Sequence, residues 1–408
     1  MIDQISLCRG CVSTEIDDVL KLQPVPIGDS FSVNANNALT YPIGLALCAQ
    51  CGLVQLSHRV ESTIVFERYF SESFPLTEDL VLDRVRIPRL QHFLHSLNVK
   101  TLLSVGSGSG RSLERYHAEG ITVIGIEPSD RQANVSRNLG IDTLTGYLTE
   151  TVVEEILSKY GQVDMVLVDN FTKMPHPAHI SNVEDPLAYA ENLSRLIKPN
   201  GCVYLRVPYI GSILAFGLVD YVYHEHQSYF SYRSIKQLFS RVGLHIKSSS
   251  LCENNSMHAE LLLSSVSKSL RGGDVRTEFE KKENGLKIHK KKTFSDIADA
   301  LNASKAMVRQ EFGDSCGLRI AGYGASTATV AMMYQYELVS DLDFLVDDNK
   351  DKIGLYSPNA NLRVENVDKI YTSNVDVLVI LASRFANKIK EDHRKFSGKV
   401  VVPSLDLD

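Results

Sequence analysis

No run of apolar residues in the chain approaches the roughly 18 to 20 needed to cross a bilayer, and the opening MIDQISLCRG lacks a basic segment followed by an apolar one. Membrane spans and secretion signals are therefore not expected, and a cytoplasmic location is. Positive charge is also not in excess: 43 Lys and Arg face 49 Asp and Glu, a formal net charge of -6. That balance offers no electrostatic footprint for a polyanion, so no nucleic-acid partner is expected. With 44% hydrophobic and 23% charged residues, the composition is neither disordered nor fibrous. What remains is a globular chain of 408 residues, long enough for two or three domains with cores of their own.

Cysteine is sparse but patterned. Of seven cysteines, four fall into two CxxC pairs, Cys8/Cys11 and Cys48/Cys51. Two such turns brought together make the tetrahedral sulfur shell that Zn2+ favours. No thioredoxin-like βαβ pattern flanks either pair, which argues against a redox role, while an iron-sulfur cluster uses the same ligands and stays open. A closed four-thiolate zinc site has no position for substrate, so its role would be structural. The turn-rich stretch Pro24 to Ser30 lies between the pairs, and a small, weakly cored N-terminal domain pinned by the metal is expected. Cys202, Cys252 and Cys316 stand among apolar neighbours and read as small buried hydrophobes.

The central region has the strongest periodicity. Helical spacing from Leu76 to Leu97 runs into an apolar strand, Thr101 to Val105, followed by Gly106-Ser107-Gly108-Ser109-Gly110. A helical pattern from Ser112 to Ala118 and a strand from Ile121 to Ile126, closing on Glu127, complete a βαβ unit. Glycines there permit positive φ and close approach of a ligand, and a carboxylate at the second strand's tip can accept both hydroxyls of a ribose. The unit reads as an adenosine site. A dinucleotide loop wants GxGxxG, and here the third glycine comes one residue early. The GxGxG form resembles motif I of class I methyltransferases, which favours S-adenosylmethionine over NAD. Later segments agree: a strand Val163 to Val168 ending at Asp169-Asn170, a helix Asp185 to Ile197, a turn Lys198 to Gly201, and a strand Cys202 to Val207. A helix Ile235 to Val242 and strands Leu244 to Ser249 and Met257 to Ser264 would complete a seven-stranded sheet.

The densest chemistry lies in Tyr221 to Phe230, where His224, Glu225 and His226 sit among three tyrosines, including Tyr223. Such a group can supply a general base, an orienting partner and donors to a developing oxyanion. HEH is not HExxH, and no spaced third ligand makes it a metal site. After a charged linker, roughly Arg271 to Lys292, and a helix from Phe294 to Val308, a second nucleotide-like unit follows. It comprises a strand Leu318 to Gly322, a turn Tyr323 to Thr327, a helix Ala328 to Tyr336, a strand Leu342 to Val346 closing on Asp347-Asp348, and a third strand Val375 to Leu381. Small residues heading a helix suit phosphate; tight strand-to-helix packing explains them equally simply.

Taken in order, CxxC with CGLVQL, the methyltransferase core, YHEH with SYFS, and GYGAST with VDDN and GLYSP resemble the deoxysugar C-methyltransferase family over nearly the whole chain. The resemblance implies an α/β fold: a class I methyltransferase doubly wound sheet at 73–268, a zinc-binding domain at 1–72 and a Rossmann-like sugar-nucleotide-binding domain at 269–408. It implies S-adenosylmethionine as cofactor, structural zinc on Cys8, Cys11, Cys48 and Cys51, and a nucleotide-linked keto-sugar as substrate. His226 would be the base and Tyr223 its assistant, with His224 or Glu225 orienting. Gly106, Ser107, Gly108, Gly110, Glu127, Asp169 and Asn170 are expected to hold the methyl donor. Tyr209, Gly324, Ser326, Asp347 and Asp348 are expected on the sugar-nucleotide side. No membrane partner is expected, and the chain would be a monomer or weak homo-oligomer. Departures from the family pattern gather at the sugar side: Ala328-Thr329-Val330 for Lys-Gly-Asn, Arg206 heading RVPY for EVPY, Ser73 for a tyrosine, and no histidine from Phe171 to Pro175, where His176 or His179 would substitute. A sugar O- or N-methyltransferase and a noncatalytic binding homologue are the alternative readings.

Overall fold

A computed structural model of the chain describes residues 2–67, 86–168, 177–251, 257–265, 275–312 and 317–405. Ser73, Asp169, Asn170, His176, Cys252 and Cys316, together with both expected domain boundaries, lie outside these residues, as does the first half of the helix expected from Leu76.

Strands β1 (Ile16–Lys21), β2 (Gly44–Cys48) and β3 (Val54–Leu56) form an antiparallel meander near the N-terminus. β2 is buried at every position, and the second CxxC turn joins it to β3 through Gly52 at φ +76°. The expectation of a weak separate core is corrected here. Leu20, Leu45, Leu47 and Val54 belong to one continuous apolar cluster with Phe294, Leu301 and Met333 from the C-terminal part. The sheet is stabilised by covering the neighbouring domain as well as by the cysteine cluster.

The central sheet is built from β4 (Thr101–Val105), β5 (Thr122–Glu127), β6 (Asp142–Thr145), β7 (Val163–Val168) and β8 (Ile197–Pro208). The two-residue β9 (Ser228–Tyr229) leaves this domain and pairs with β3, opposite Gln55 and Val54. β10 (His245–Leu251) and β11 (His258–Ser264) then return to give a seven-stranded order β6-β5-β4-β7-β8-β11-β10, parallel except at β11. The chain reverses its direction of growth between β4 and β7, which opens a crevice at their carboxyl ends. The expected turn at Lys198 to Gly201 proves to be a bulge inside β8: pairing with β7 breaks between Ile197 and Cys202, and Asn200 adopts φ +69°.

The expected charged linker is also corrected. It contains a helix, Val275–Leu286, whose lysines and glutamates conceal an inward side with Phe279 and Glu283 buried. Phe279 stacks on Tyr232, and Glu283 accepts the Tyr232 backbone N–H at 2.6 Å. The helix Lys291–Phe312 follows, with its apolar stripe Phe294, Ile297, Leu301, Val308 and Phe312 at helical spacing. The second nucleotide-like unit is a parallel sheet of five strands rather than three. Its strands are β12 (Ile320–Tyr323), β13 (Phe344–Asp347), β14 (Val364–Asn366), β15 (Val377–Ile380) and β16 (Lys399–Val401), in the order β14-β13-β12-β15-β16. Among the described residues, no helix is long and apolar enough to cross a membrane.

Candidate active site

The glycine loop after β4 has the geometry its sequence implies. Gly106, Gly108 and Gly110 adopt φ of +74°, +57° and +75°, a region costly for any side chain. A Cβ at Gly110 would fall 2.4 Å from Ser136 Oγ, so the loop must be bare there to pack on the helix Asp130–Asn138 that follows β5; a Cβ at Gly108 would meet nothing within 4 Å, leaving room above the loop. Glu127, fully buried at the end of β5, accepts the N–H groups of Gly108 and Ser129 at 2.8 Å each. A rigidly aimed carboxylate beside an open glycine loop fits the ribose of S-adenosylmethionine. Ser107 does not turn its hydroxyl to that opening: its Oγ lies over Gly125, 2.6 Å from where a Cβ there would stand.

The loop after β8 carries the second cluster. Tyr223 Oη lies 3.4 Å from His226 Nε2, with their rings 4.4 Å apart. Tyr221 flanks His226 at 5.2 Å, and Tyr229 approaches it edge-on at 6.1 Å. The loop is pinned from beneath, because the Tyr229 hydroxyl accepts the Tyr223 N–H and donates to the Tyr221 carbonyl, both at 3.3 Å. Pairing of β9 with β3 fixes its far end to the cysteine-bearing sheet. Burial, helped by His179, lowers the His226 pKa to about 3, so the imidazole is neutral at physiological pH, and burial pushes the Tyr223 phenol well above its usual range. One neutral acceptor and one fully protonated donor thus face each other.

Of the other two members of YHEH, His224 faces elsewhere, while the Glu225 charge is felt by the Tyr223 and Tyr229 phenols. His224 Nε2 lies 3.4 Å from the Pro42 carbonyl and its ring meets Tyr41 edge-on, toward the N-terminal domain; burial lowers its pKa to about 4. Glu225 is buried, and burial raises its pKa to about 8 with Asp29 adding in the same direction. Among the described residues, the ring contacts to His226 come from Tyr221, Tyr223 and Tyr229. His179 is buried too, held at 2.7 Å by Ser181 Oγ and at 2.5 Å by the Arg206 carbonyl.

In the C-terminal sheet Asp347 terminates β13 and Asp348 follows directly after it. Asp347 accepts the Ala325 N–H at 2.6 Å and the Asn349 N–H at 2.7 Å, repeating the Glu127 arrangement one domain later. Asp348 accepts from the Tyr323 hydroxyl at 2.7 Å. Gly324, at φ +120°, lets the chain turn tightly over Thr329. Ser326 is engaged by its own helix, Thr327–Gln335, in a reciprocal capping box with Thr329. Gly28 of the N-terminal domain covers that first turn, for a Cβ on it would lie 2.9 Å from Thr327 Cα. Tyr209 is not brought to this group: it is fully buried with its ring edge-on to Phe279 at 5.3 Å.

The four paired cysteines do converge. Their sulfurs all lie within 4.8 Å of one another, with Cys8 to Cys51 at 3.5 Å and Cys11 to Cys48 at 3.6 Å. A sulfur tetrahedron about 2.3 Å from zinc has edges of about 3.8 Å, so the donor set fits that ion. Sequence reasoning overlooked Arg384 and Asp220, which flank the His226 loop. Asp220 is buried, its pKa raised to about 6 by burial and drawn back by the nearby Arg384 charge. Neither belongs to a spaced motif that could have signalled it.

Family models match the chain in three successive segments: a zinc binding domain at 8–66, a methyltransferase domain at 82–249 and a C-methyltransferase C-terminal domain at 267–403. The C-methyltransferase NovU of Streptomyces niveus is 24% identical over 99% of this chain and 96% of its own length. A ubiquinone biosynthesis O-methyltransferase of Haemophilus ducreyi is 27% identical over 31% of this chain and 52% of its own. Among solved structures, an S-adenosylmethionine-dependent methyltransferase from Clostridium acetobutylicum is 12% identical, covering 43% of this chain and 88% of its own, with a TM-score of 0.34.

Proposed function

From a chain that is an S-adenosylmethionine-dependent C-methyltransferase with a zinc-binding N-terminal domain, we propose that the methyl acceptor is a carbon next to the ketone of a nucleotide-linked keto-deoxysugar. The single observation that carries this reading is the buried Tyr223–His226 pair on the carboxyl edge of the central sheet. A carbon beside a ketone is only weakly acidic, so methylation there needs a base and a donor to the oxygen at one place. Sugar oxygens are not carbon acids and need no such enolate.

In this reading the neutral His226 takes the proton as the C–H bond breaks, and its electron pair passes to the enolate. The low pKa of His226 makes it a weak base in isolation; an enolate formed beside the new imidazolium supplies the counter-charge that raises it. The Tyr223 phenol, fully protonated, donates to the enolate oxygen. S-adenosylmethionine, when bound, supplies the sulfonium methyl to the carbon and leaves as S-adenosylhomocysteine. Gly106, Gly108, Gly110 and Glu127 would hold it, with Asp169 and Asn170 assigned to the same task. Gly324, Asp347 and Asp348 receive the nucleotide side, Asp347 standing where a ribose carboxylate is wanted. His179 orders the loop facing His226 through Ser181 and Arg206.

The test is hydrogen exchange at the acceptor carbon. In D2O without methyl donor, the enzyme should wash deuterium into one C–H position of a 4-keto-6-deoxysugar nucleotide, and His226→Ala should not. Methyl transfer without such exchange, to oxygen or nitrogen, would remove the enolate mechanism.

A further inference from the structure

Arg384 occupies the seam between the His226 loop and the Gly324 loop. It lies in the short turn Ser383–Phe385 that follows β15. Two residues earlier, Ala382 donates its N–H to the Tyr323 carbonyl at 3.2 Å, and its Cβ stands 3.4 Å from where a side chain on Gly324 would begin. The turn therefore borders the Gly324 loop. On the other side, the guanidinium carbon sits 5.3 Å from the centre of the Tyr221 ring and 5.8 Å from that of Phe385. Tyr221 is in turn the ring that flanks His226.

Three other cations of the C-terminal domain are already engaged: Lys352 pairs with Asp29, and both Arg363 and Lys369 pair with Glu365. The Arg384 guanidinium, by contrast, makes no direct hydrogen bond or ion pair among the described residues, its charge being felt only at longer range by the buried Asp220 carboxyl and the neighbouring tyrosines, and the side chain is exposed. Cation–π contact with aromatic rings holds a guanidinium in place without using its N–H donors, which remain able to read phosphate oxygens. The adjoining loop needs such a charge. Gly324 to Val330 contains no cation, Asp347 and Asp348 are negative, and the head of the helix Thr327–Gln335 is capped by Ser326 and covered by Gly28.

We propose that Arg384 binds the diphosphate of the substrate, holding it between the Gly324 loop and the Tyr223–His226 pair, and so makes the enzyme selective for phosphate-bearing acceptors. The proposal rests on the reading that the acceptor is nucleotide-linked. It gives the chain a cation for this role from the end of β15 instead of from the loop after β12.

The experiment is calorimetric titration of the full-length zinc-loaded protein with uridine 5′-diphosphate, thymidine 5′-diphosphate and S-adenosylhomocysteine. Wild type should bind at least one of the diphosphates. Arg384→Ala should weaken that binding about ten- to hundredfold, the range for losing hydrogen bonds to a charged group, with S-adenosylhomocysteine affinity unchanged. Arg384→Lys should recover part of the loss, and Lys395→Ala, removing an exposed charge elsewhere on the domain, should have no effect. Diphosphate binding by Arg384→Ala equal to wild type overturns the assignment. Wild type that binds S-adenosylhomocysteine but neither diphosphate overturns the nucleotide-linked reading and the assignment with it. Should Arg384→Ala lose S-adenosylhomocysteine as well, Arg384→Lys decides: its diphosphate affinity must fall below wild type, and equality refutes the proposal.

Discussion

Glu225 is where pH should act most visibly on stability. Its carboxyl is 3% exposed, Oε2 has no hydrogen-bond partner among the described residues, and burial raises its pKa to about 8. An unfolded glutamate titrates near 4.3. Between about pH 4.5 and 8 the folded chain therefore keeps a proton that the unfolded chain has released, and stability must fall as pH rises through that window. The other buried groups act at lower pH. Asp220, raised to about 6, has mostly ionised above that value, while His224 and His226, lowered to about 4 and 3, cost stability only as pH falls below the usual histidine range. From about pH 6.5 to 8, Glu225 is the dominant group, and the unfolded histidines, still losing protons near pH 6.5, oppose it by a little under about 1 kcal/mol. One proton of difference is worth about 1.4 kcal/mol per pH unit, so Glu225 itself should account for a loss of about 1.5 to 2 kcal/mol over that interval. Urea denaturation followed by circular dichroism at pH 6.5, 7.2 and 8.0 measures this, with Glu225→Gln as the comparison. The stability change from pH 6.5 to 8.0 should be less negative in the variant by that amount; equal changes in the two proteins would refute the argument that Glu225 is a protonated buried acid.

Three further outcomes are expected. Purified protein should contain about one zinc per chain by elemental mass spectrometry, and Cys8→Ser should lose the metal and lower the melting temperature, since a structural site contributes to folding outright. Glu127→Ala should abolish measurable S-adenosylhomocysteine binding and cost about 2 to 6 kcal/mol of stability, because the Gly108 and Ser129 N–H groups each lose their acceptor. His226→Ala should reduce turnover about a hundred- to ten-thousandfold while leaving S-adenosylhomocysteine affinity unchanged, and Tyr223→Phe should lower kcat with a smaller effect on KM, both read from initial rates.

The features legible in the sequence are those with a fixed local geometry. The glycine loop and Glu127 were readable because positive φ and a strand-end carboxylate leave a short-range signature. The two CxxC turns were readable because each presents its thiols within one turn, and chemistry requires the two to meet. Long apolar strands such as Val163–Val168 announced themselves by composition. The rest depends on contacts far apart in the chain. The helix Val275–Leu286 looks like a linker because its buried Phe279 and Glu283 find partners on a helix that starts at Tyr232. β14 and β16 have three residues each, too few for periodicity to register. The pairing of β9 with β3, which anchors the His226 loop, joins positions some 170 residues apart and has no local signal. The same holds for Arg384, an ordinary exposed arginine until the fold sets it over Tyr221. Tyr209 shows the converse: position in a familiar phrase suggested a substrate contact, whereas its ring packs on Phe279.

The central claim, methyl transfer to carbon, is tested most directly by incubating the protein with S-adenosylmethionine and a panel of nucleotide-linked 4-keto-6-deoxysugars. Products are weighed by mass spectrometry and the new methyl is then located by NMR. The account predicts a gain of one methylene in mass, with the methyl signal coupled to a ring carbon adjacent to the ketone. A methyl found on oxygen or nitrogen would contradict it.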